Sequence, residues 1–480
     1  MGKKSIANNY FYNSLYQVLT IIIPLITTPY LARVLGAEKI GIYSYTLSIT
    51  TYFILFGSLG VSMYGQREIA YNQNNKYLRS KTFIEILFMR FISLSISLII
   101  FYFAFCLHGN YNVYYKILIL EILANAIDIS WYFQGLEEFK KTVIRNMLVK
   151  IISVIFIFVL VKSQEDFFKY FVIYVLSTFL GNLSMWIYIP KYVDKISFKD
   201  LNISKHIKPT IMLFIPQIAT QIYTVLDKTM IGTIVIDKTE VGYYEQAQKI
   251  IKLLMTLATS LGVVMMPRIA ATYAEGNHKK VKEYMNKSFS FIMLLAFPLM
   301  FGIISVASKF VPIFYGRGYE KVVPLICIIS PIIILIGLSN VTGTQYLLPT
   351  KQQNKYTLSV VVGAIINFCF NLLLIFKFES IGASIATVIA EFGVTATQFI
   401  LLRKEVSIKD VIKNSQKYII ASFIMFLISV LIGNFIDNNY LSIIVQIISS
   451  SIIYFLLLII FKDKMVMEIM YAIKKKIKLN

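Results

Sequence analysis

The chain has 480 residues, of which 57% are hydrophobic and 15% charged, with a mean hydropathy of +0.69. Too few polar residues remain to coat the domains of a soluble protein of this length, and 36 Phe with 32 Tyr exclude a disordered chain. The formal net charge of +22 would suggest nucleic acid in a soluble protein. In so apolar a chain, it first asks which side of a bilayer the lysines occupy.

A helix needs about 20 apolar residues to cross the hydrocarbon core. Read with that ruler, the sequence predicts an all-α polytopic membrane protein of about fourteen spans. The runs are too long and continuous for the alternating ~10-residue strands of a barrel. In chain order they cover residues 10–32, 40–63, 83–107, 113–134, 146–161, 167–190 and 209–233. Seven more follow at 241–266, 288–308, 322–348, 356–376, 381–402, 418–436 and 441–461. The basic start with Lys3 and Lys4 mimics a secretory signal, but the apolar run continues to Arg33 without a small-residue cleavage site. It is expected to be an uncleaved first span.

Basic residues cluster in alternate loops. They fill Lys76 to Lys81, Lys140 to Arg145, and residues 191–208, 268–287 and 403–417, and they return in the tail at Lys474, Lys475 and Lys476. Residues 108–112 and 437–440 carry neither Lys nor Arg. This asymmetry places both termini in the cytoplasm, as expected for a multi-pass protein of the bacterial cytoplasmic membrane. Most of the charge then serves topology and contact with anionic membrane lipids, and no nucleic-acid partner is expected. Met465, Ile469 and Ala472 follow at helical spacing, so the tail reads as an amphipathic surface helix.

Gly41, Tyr43, Arg67 and Ala70 recur as Gly242, Tyr244, Arg268 and Ala271, 201 residues on. A duplicated chain is the simplest account. The expected organisation is an N-terminal six-helix lobe at 1–204, a C-terminal six-helix lobe at 205–404, and two extra spans with a basic tail at 405–480. An even number of spans per half makes the repeats parallel.

Catalytic signatures are absent. The chain has no G-x-x-x-x-G-K-[ST] loop and no H-E-x-x-H. His108, His206 and His278 fall between the predicted spans and read as solvated. Cys106, Cys327 and Cys369 lie in apolar runs and read as packing residues. A membrane glycosyltransferase or polymerase would need an acidic outer-face site, which the short outer loops do not supply. No enzyme activity, cofactor or metal is expected.

Charges inside the spans carry more information, because each costs at least ~2.5 kcal/mol at membrane depth without a partner or a wet cavity. They are Glu85, Arg90, Glu121, Asp128, Lys150, Asp227, Lys228, Glu245, Lys249, Lys252 and Glu391, with Arg33 closing the first span. Glu245, Lys249 and Lys252 are spaced by four and three, so they form one helical stripe flanked by Gln248. Asp227 and Lys228 are adjacent and point about 100° apart. One can face a cavity while the other pairs with a neighbour. The competing reading of this cluster is an interhelical ion-pair network with no ligand. Glu85, Lys150 and Arg33, near span ends, read as snorkelling side chains.

Several motifs follow in order: Pro24-Leu-Ile-Thr-Thr-Pro29 through Arg33 to Gly36, Gly41-Ile-Tyr43-Ser44, Asp227-Lys-Thr-Met-Ile-Gly232, Val241-Gly-Tyr-Tyr244 to Ile250, Met266-Pro-Arg-Ile269, Leu348-Pro-Thr-Lys351, Asn367 with Asn371, and Ile381 to Thr387. Together they resemble the polysaccharide-exporter branch of the MOP superfamily, the Wzx-type flippases. The resemblance implies two six-helix lobes facing a cavity with a cationic lining. It implies a flippase moving undecaprenyl-diphosphate-linked oligosaccharide between leaflets, in surface polysaccharide assembly alongside a polysaccharide polymerase. Lys249 and Lys228 are the leading substrate-binding candidates, followed by Arg33 and Arg90, with Asp227, Glu245 and Lys252 beside them. Two relatives stay in view. A lipid II flippase has arginines in its first helix, and residues 10–32 here have none. A MATE-like cation-coupled multidrug antiporter uses cavity carboxylates, for which Asp227, Glu245 and Glu391 are available.

The topology makes a direct prediction. Reporter fusions after Asn112 and Asn438 should read outside, and a fusion after Asn480 inside. Reversal at any of the three breaks the assignment.

Overall fold

The computed structural model describes residues 6–477, and no strand occurs among them. Lys3, Lys4 and Lys478 lie outside the described residues. The helices are α1 (Ile6–Ser58), α2 (Val61–Tyr71), α3 (Lys76–Phe101), α4 (Asn112–Ala126), α5 (Ser130–Gly135), α6 (Phe139–Leu160), α7 (Phe167–Ser184), α8 (Ile189–Tyr192) and α9 (Ser204–Ile234). They continue with α10 (Thr239–Thr259), α11 (Gly262–Ala274), α12 (His278–Tyr315), α13 (Val322–Ile329), α14 (Ile332–Ser339), α15 (Gln353–Leu401), α16 (Ile408–Phe435), α17 (Asn439–Ile460) and α18 (Lys464–Ile477).

Among the described residues nine helical stretches are long and apolar enough to cross a membrane, ten with the bent pair α10 and α11. Two of them are double. α1 turns at Gly36 and α15 at Glu379. A straight helix of 49 residues would run more than twice the ~30 Å hydrocarbon thickness, so each is two spans. The broken pair α4 and α5 and the more polar α9 take the remaining expected runs. Each predicted span therefore falls within a helix or a broken helix pair, in agreement with about fourteen crossings.

Gly36 makes the first bend possible. Its φ of 76° and ψ of 168° lie where a Cβ would clash, so only glycine turns the chain there without strain.

The chain packs as two compact units. One comprises Met1–Gly232 with Asp237–Val241, the other Thr233–Ile236 with Gly242–Asn480. The seventh helix, α9, packs in the first unit: Ser48 Oγ meets Thr229 Oγ1 at 2.8 Å, and Gly60 lies against Phe214. These units describe packing, whereas the lobe boundaries at 204 and 404 are a proposal about duplication.

The local structure repeats along with the sequence. α1 and α2 break at Leu59–Gly60, and α10 and α11 break 201 residues later at Ser260–Leu261. Asn75 caps α3 by accepting from Leu78 N at 3.0 Å. Asn277 caps α12 in the same way, accepting from Lys280 N at 3.0 Å. Equivalent breaks and caps at an almost constant spacing are what a duplicated chain leaves behind.

In the second unit the last two membrane helices are held by a lysine. Lys309 of α12 donates to Ile436 O at 2.6 Å, to Ser442 Oγ at 2.9 Å and to Gly433 O. The ammonium caps the carbonyl end of α16, where a cation is favoured, and ties the turn into α17. Tyr454 Oη of α17 donates to Leu294 O at 2.8 Å.

Gly232, closing the motif that begins at Asp227, lets α9 touch α1. A Cβ there would stand 2.1 Å from Cδ2 of Tyr45. Gly232→Ala should destabilise by about 1–3 kcal/mol through overpacking and lower the thermal midpoint in detergent. Adding Tyr45→Leu should restore most of the loss. An unchanged midpoint in the single variant would show that this contact is not tight.

Candidate functional site

The charged stripe of α10 is held from behind. Tyr244 Oη meets Thr387 Oγ1 at 2.8 Å and accepts from Gln248 Nε2 at 2.7 Å. Tyr315 Oη of α12 donates to Gln246 O at 2.9 Å. These contacts fix the buried face of α10 against α12 and α15. One position round the helix, Lys249 Nζ lies 3.6 Å from Glu245 Oε1, with side chains 37% and 17% exposed. Lys252, one turn on, is exposed.

Magnitudes decide what this pair needs. An i,i+4 ion pair contributes about 0.3–0.5 kcal/mol. A lysine at the centre of a membrane helix costs ~2.5–3.5 kcal/mol. The pair alone cannot hold Lys249 in hydrocarbon, so the stripe requires a wet, polar environment. At the equivalent positions of the first unit, 201 residues earlier, stand Ser44 and Ser48. The charge belongs to one repeat only.

The structure divides the predicted site residues between the two units. Lys249, Glu245 and Lys252 lie in the second. Arg33, Arg90, Asp227 and Lys228 lie in the first. Arg33 is exposed three residues before the bend at Gly36, Asp227 is buried, and Lys228 is half-buried. Glu391 is buried on α15.

Arg90 belongs to a polar hub at the break between α4 and α5. Its guanidinium is 1% exposed and 4.0 Å from Asp128 Oδ2. Asp128 Oδ1 accepts from Ser130 N at 2.9 Å and from Ser130 Oγ at 2.5 Å. Arg145 donates to Ser130 Oγ at 2.6 Å and also to Asn182 Oδ1. The break frees backbone carbonyls, and side chains take them up: Asn182 Nδ2 donates to Ala124 O at 2.8 Å and Trp186 Nε1 to Ile127 O at 2.7 Å. Arg90 Nε and Nη1 are buried without a hydrogen-bond partner among the described residues, and a ligand could reach them only if the hub opened.

Two expectations are corrected. His206 is not a solvated loop residue, and Glu85 does not snorkel. His206 lies in the first turn of α9 and is 2% exposed, and Glu85 is fully buried. A carboxylate can only accept, so the ring Nε2 donates to Glu85 Oε2 at 2.9 Å and Nδ1 accepts from Tyr64 Oη at 2.7 Å. Lys205 Nζ reaches the same carboxylate oxygen at 2.7 Å, and Asn202 N donates to Oε1 at 2.7 Å. Nearby, Lys76 pairs with Asp194 at 2.6 Å, and Arg79 donates to Tyr192 O at 3.2 Å. The long basic linker after α8 is thereby strapped to α3. Sequence reasoning missed this because each partner lies more than 100 residues from the other.

Burial holds the His206 imidazole below its ordinary range, opposed in part by its bond to Glu85. A histidine with a lowered folded pKa adds stability above about pH 6.5 that is lost as the pH falls through it. The thermal midpoint should drop between about pH 8 and about pH 5, more steeply in the wild type than in His206→Gln. Equal slopes would remove His206 from the account.

The helix order, the repeated breaks and the charged stripe define a multi-pass helical membrane protein with the fold of the MurJ and MATE transporters. Over 95% of the chain and all of the compared chain, the fold matches lipid II flippase MurJ in an inward closed conformation, with a TM-score of 0.75 and 16% identity. An inward-facing multidrug-resistance MATE transporter of the MOP superfamily matches with a TM-score of 0.64 at 14% identity, over 82% of this chain and 96% of that one. The family described as polysaccharide biosynthesis protein matches residues 6–273, more than half of the chain, and MatE matches residues 213–374. The chain belongs to the polysaccharide biosynthesis protein family. A putative O-antigen transporter of Escherichia coli (strain K12) is 25% identical over 84% of this chain and 98% of its own length. A probable low-salt glycan biosynthesis flippase, Agl15 of Haloferax volcanii, is 23% identical over 79% of this chain and 80% of its own. These relatives are named as transporters and flippases, in keeping with the expectation of a carrier rather than an enzyme.

Proposed function

We propose that the protein is a flippase for lipid-linked oligosaccharides, carrying undecaprenyl-diphosphate-linked repeat units across the bacterial cytoplasmic membrane for surface polysaccharide assembly. The observation that carries this reading is Lys249, a half-exposed cation midway along a membrane helix whose close carboxylate among the described residues, Glu245, is too weak a partner to hold it there. The family membership and the O-antigen transporter relative support the substrate class.

The mechanism follows from the cargo. The prenyl tail can remain in lipid, but the diphosphate and sugars cannot enter hydrocarbon without solvation. Lys249, with Lys228 and Arg33, supplies charge for the diphosphate along a wet path. Asp227 and Glu245 hold neighbouring cations in place, Lys252 extends the stripe, and tyrosines offer faces to sugars. Alternating access moves the head group across, and an inside-negative potential favours outward movement of anionic charge by roughly 2.3 kcal/mol per charge per 100 mV. With both termini cytoplasmic, the product emerges on the side where a polysaccharide polymerase would use it.

A second reading, a MATE-like cation-coupled multidrug antiporter, is favoured by the MatE match over residues 213–374 and by buried Glu391. It predicts that amphiphilic cations are moved and lipid-linked glycans are not.

Charge removal tests the role of Lys249. Lys249→Gln should abolish flipping at wild-type expression, and Lys249→Arg should retain part of it. If Lys249 only neutralises Glu245, the double variant Glu245→Gln with Lys249→Gln should recover the activity that the single variant lost. Recovery would make the pair structural.

A further inference from the structure

The two repeated bends are built differently. In the first, Leu59 at φ 47° and Gly60 at φ 76° both take left-handed backbone. Returning them to right-handed helix means crossing the disallowed region near φ of about 0°, so the corner between α1 and α2 is fixed. Gly60 is buried, and Phe214 of α9 lies against it: a Cβ at 60 would stand 3.2 Å from both Cα and Cβ of Phe214.

In the second, α10 and α11 meet at 40°. Thr259, Ser260, Leu261 and Gly262 have no positive φ, and Leu261 at φ −62° and ψ −26° is ordinary right-handed helix. What interrupts the helix here is its hydrogen bonding. Ser260 N reaches back only three residues, to Leu257 O at 3.4 Å, and Val264 N and Met265 N share Leu261 O at 3.1 and 3.0 Å. Small changes of dihedral are enough to straighten or deepen such a bend.

A polar notch faces it. A Cβ at Gly262 would stand 2.7 Å from Oδ1 and 3.6 Å from Cγ of Asn340. Asn340 opens an eight-residue π-helix, Asn340–Leu347, a wide form of helix that occurs often at functional sites. Gln345 Nε2 donates to Asn340 Oδ1 at 2.9 Å, while Gln345 Oε1 is buried without a donor among the described residues. The notch thus keeps an unused acceptor close to the N–H groups that the bend leaves open. One arm of the bend, α10, carries Glu245, Lys249 and Lys252, and the other, α11, carries Arg268.

We propose that the bend between α10 and α11 is a working hinge with Asn340 and Gln345 as its latch, whereas the corner at the equivalent place in the first unit does not move. Changing the bend turns the arm that carries Lys249 against the arm that carries Arg268 and re-aims the cationic stripe. The purpose of this motion rests on the transport reading of Lys249, but its existence does not.

Two cysteine pairs test the hinge in the full-length chain with Cys106, Cys327 and Cys369 replaced by Ala. Gly262→Cys with Asn340→Cys ties α11 to the notch, and Gly60→Cys with Phe214→Cys ties the first corner to α9. Followed by mass spectrometry, deuterium uptake at residues 255–270 should be about tenfold slower in the oxidised 262–340 pair than after reduction. The 60–214 pair should show no such difference at residues 55–70. Leaflet exchange of a lipid-linked glycan should fall by about tenfold on oxidising the 262–340 pair, return on reduction, and ignore the redox state of the 60–214 pair. Equal uptake at residues 255–270 in both redox states, or arrest by both pairs alike, would overturn the hinge. Slower uptake with unchanged glycan exchange would overturn its link to transport. If the cysteine-free parent exchanges no glycan, the proposed function fails and the uptake comparison alone decides the hinge. Should the reduced 262–340 variant depart from the parent's gel-filtration profile, Asn340→Ala with Gln345→Ala takes its place. Releasing the latch should raise uptake at residues 255–270, and unchanged uptake would overturn the proposal.

Discussion

Hydrocarbon does not solvate a backbone carbonyl or a charge, and the fold is organised around meeting that constraint. At several helix breaks and ends a side chain supplies the missing partner. Asn182 and Trp186 serve the carbonyls freed between α4 and α5, Lys309 serves the end of α16, and Asp463 serves the start of α18. Two buried charges sit in such hubs, Arg90 beside Asp128 and Glu85 beside His206 and Lys205. Against that background Lys249 stands apart, half-exposed and, among the described residues, paired with Glu245 of its own helix, and the proposed function rests on it.

The proposed duplication, followed by divergence, accounts for where the charge lies. Both repeats keep the bent second helix, the asparagine cap on the next helix and a tyrosine at 43 or 244, half-buried in the first and buried in the second. The first repeat has serines where the second has Glu245 and Lys249, and Ser48 bonds Thr229 of α9. One copy of the position holds helices together, and the other presents a cation. The same split of roles separates Gly232, which lets α9 touch Tyr45, from Lys228 one turn before it.

The spans and the repeat were legible in the sequence because hydropathy and spacing are local properties. One bend left a trace, since Gly36, which closes the first family-like motif, stands at it. The hubs were not legible. Glu85 looked like a snorkelling residue and His206 like a loop histidine, because their pairing joins α3 to α9 across 121 residues of sequence. Lys309 escaped because the predicted span ended at residue 308, although α12 continues through it to Tyr315. Only the fold brings Lys417 and Tyr418 to Asp463. Of the candidate site, the stripe on α10 was readable from spacing alone. The burial of Arg90 and the placement of Lys228 and Lys249 in different compact units were not.

The central claim is that the cationic stripe serves a lipid-borne diphosphate. The most direct measurement is leaflet exchange in vesicles containing the purified protein, comparing a polyprenyl-diphosphate oligosaccharide with a neutral lipid carrying the same sugars. Lectin or glycosidase added outside reports each glycan as it reaches the outer leaflet. The account predicts protein-dependent exchange of the diphosphate-linked glycan and little of the neutral one. Equal exchange of both, or exchange of neither alongside transport of an amphiphilic cation, would contradict it.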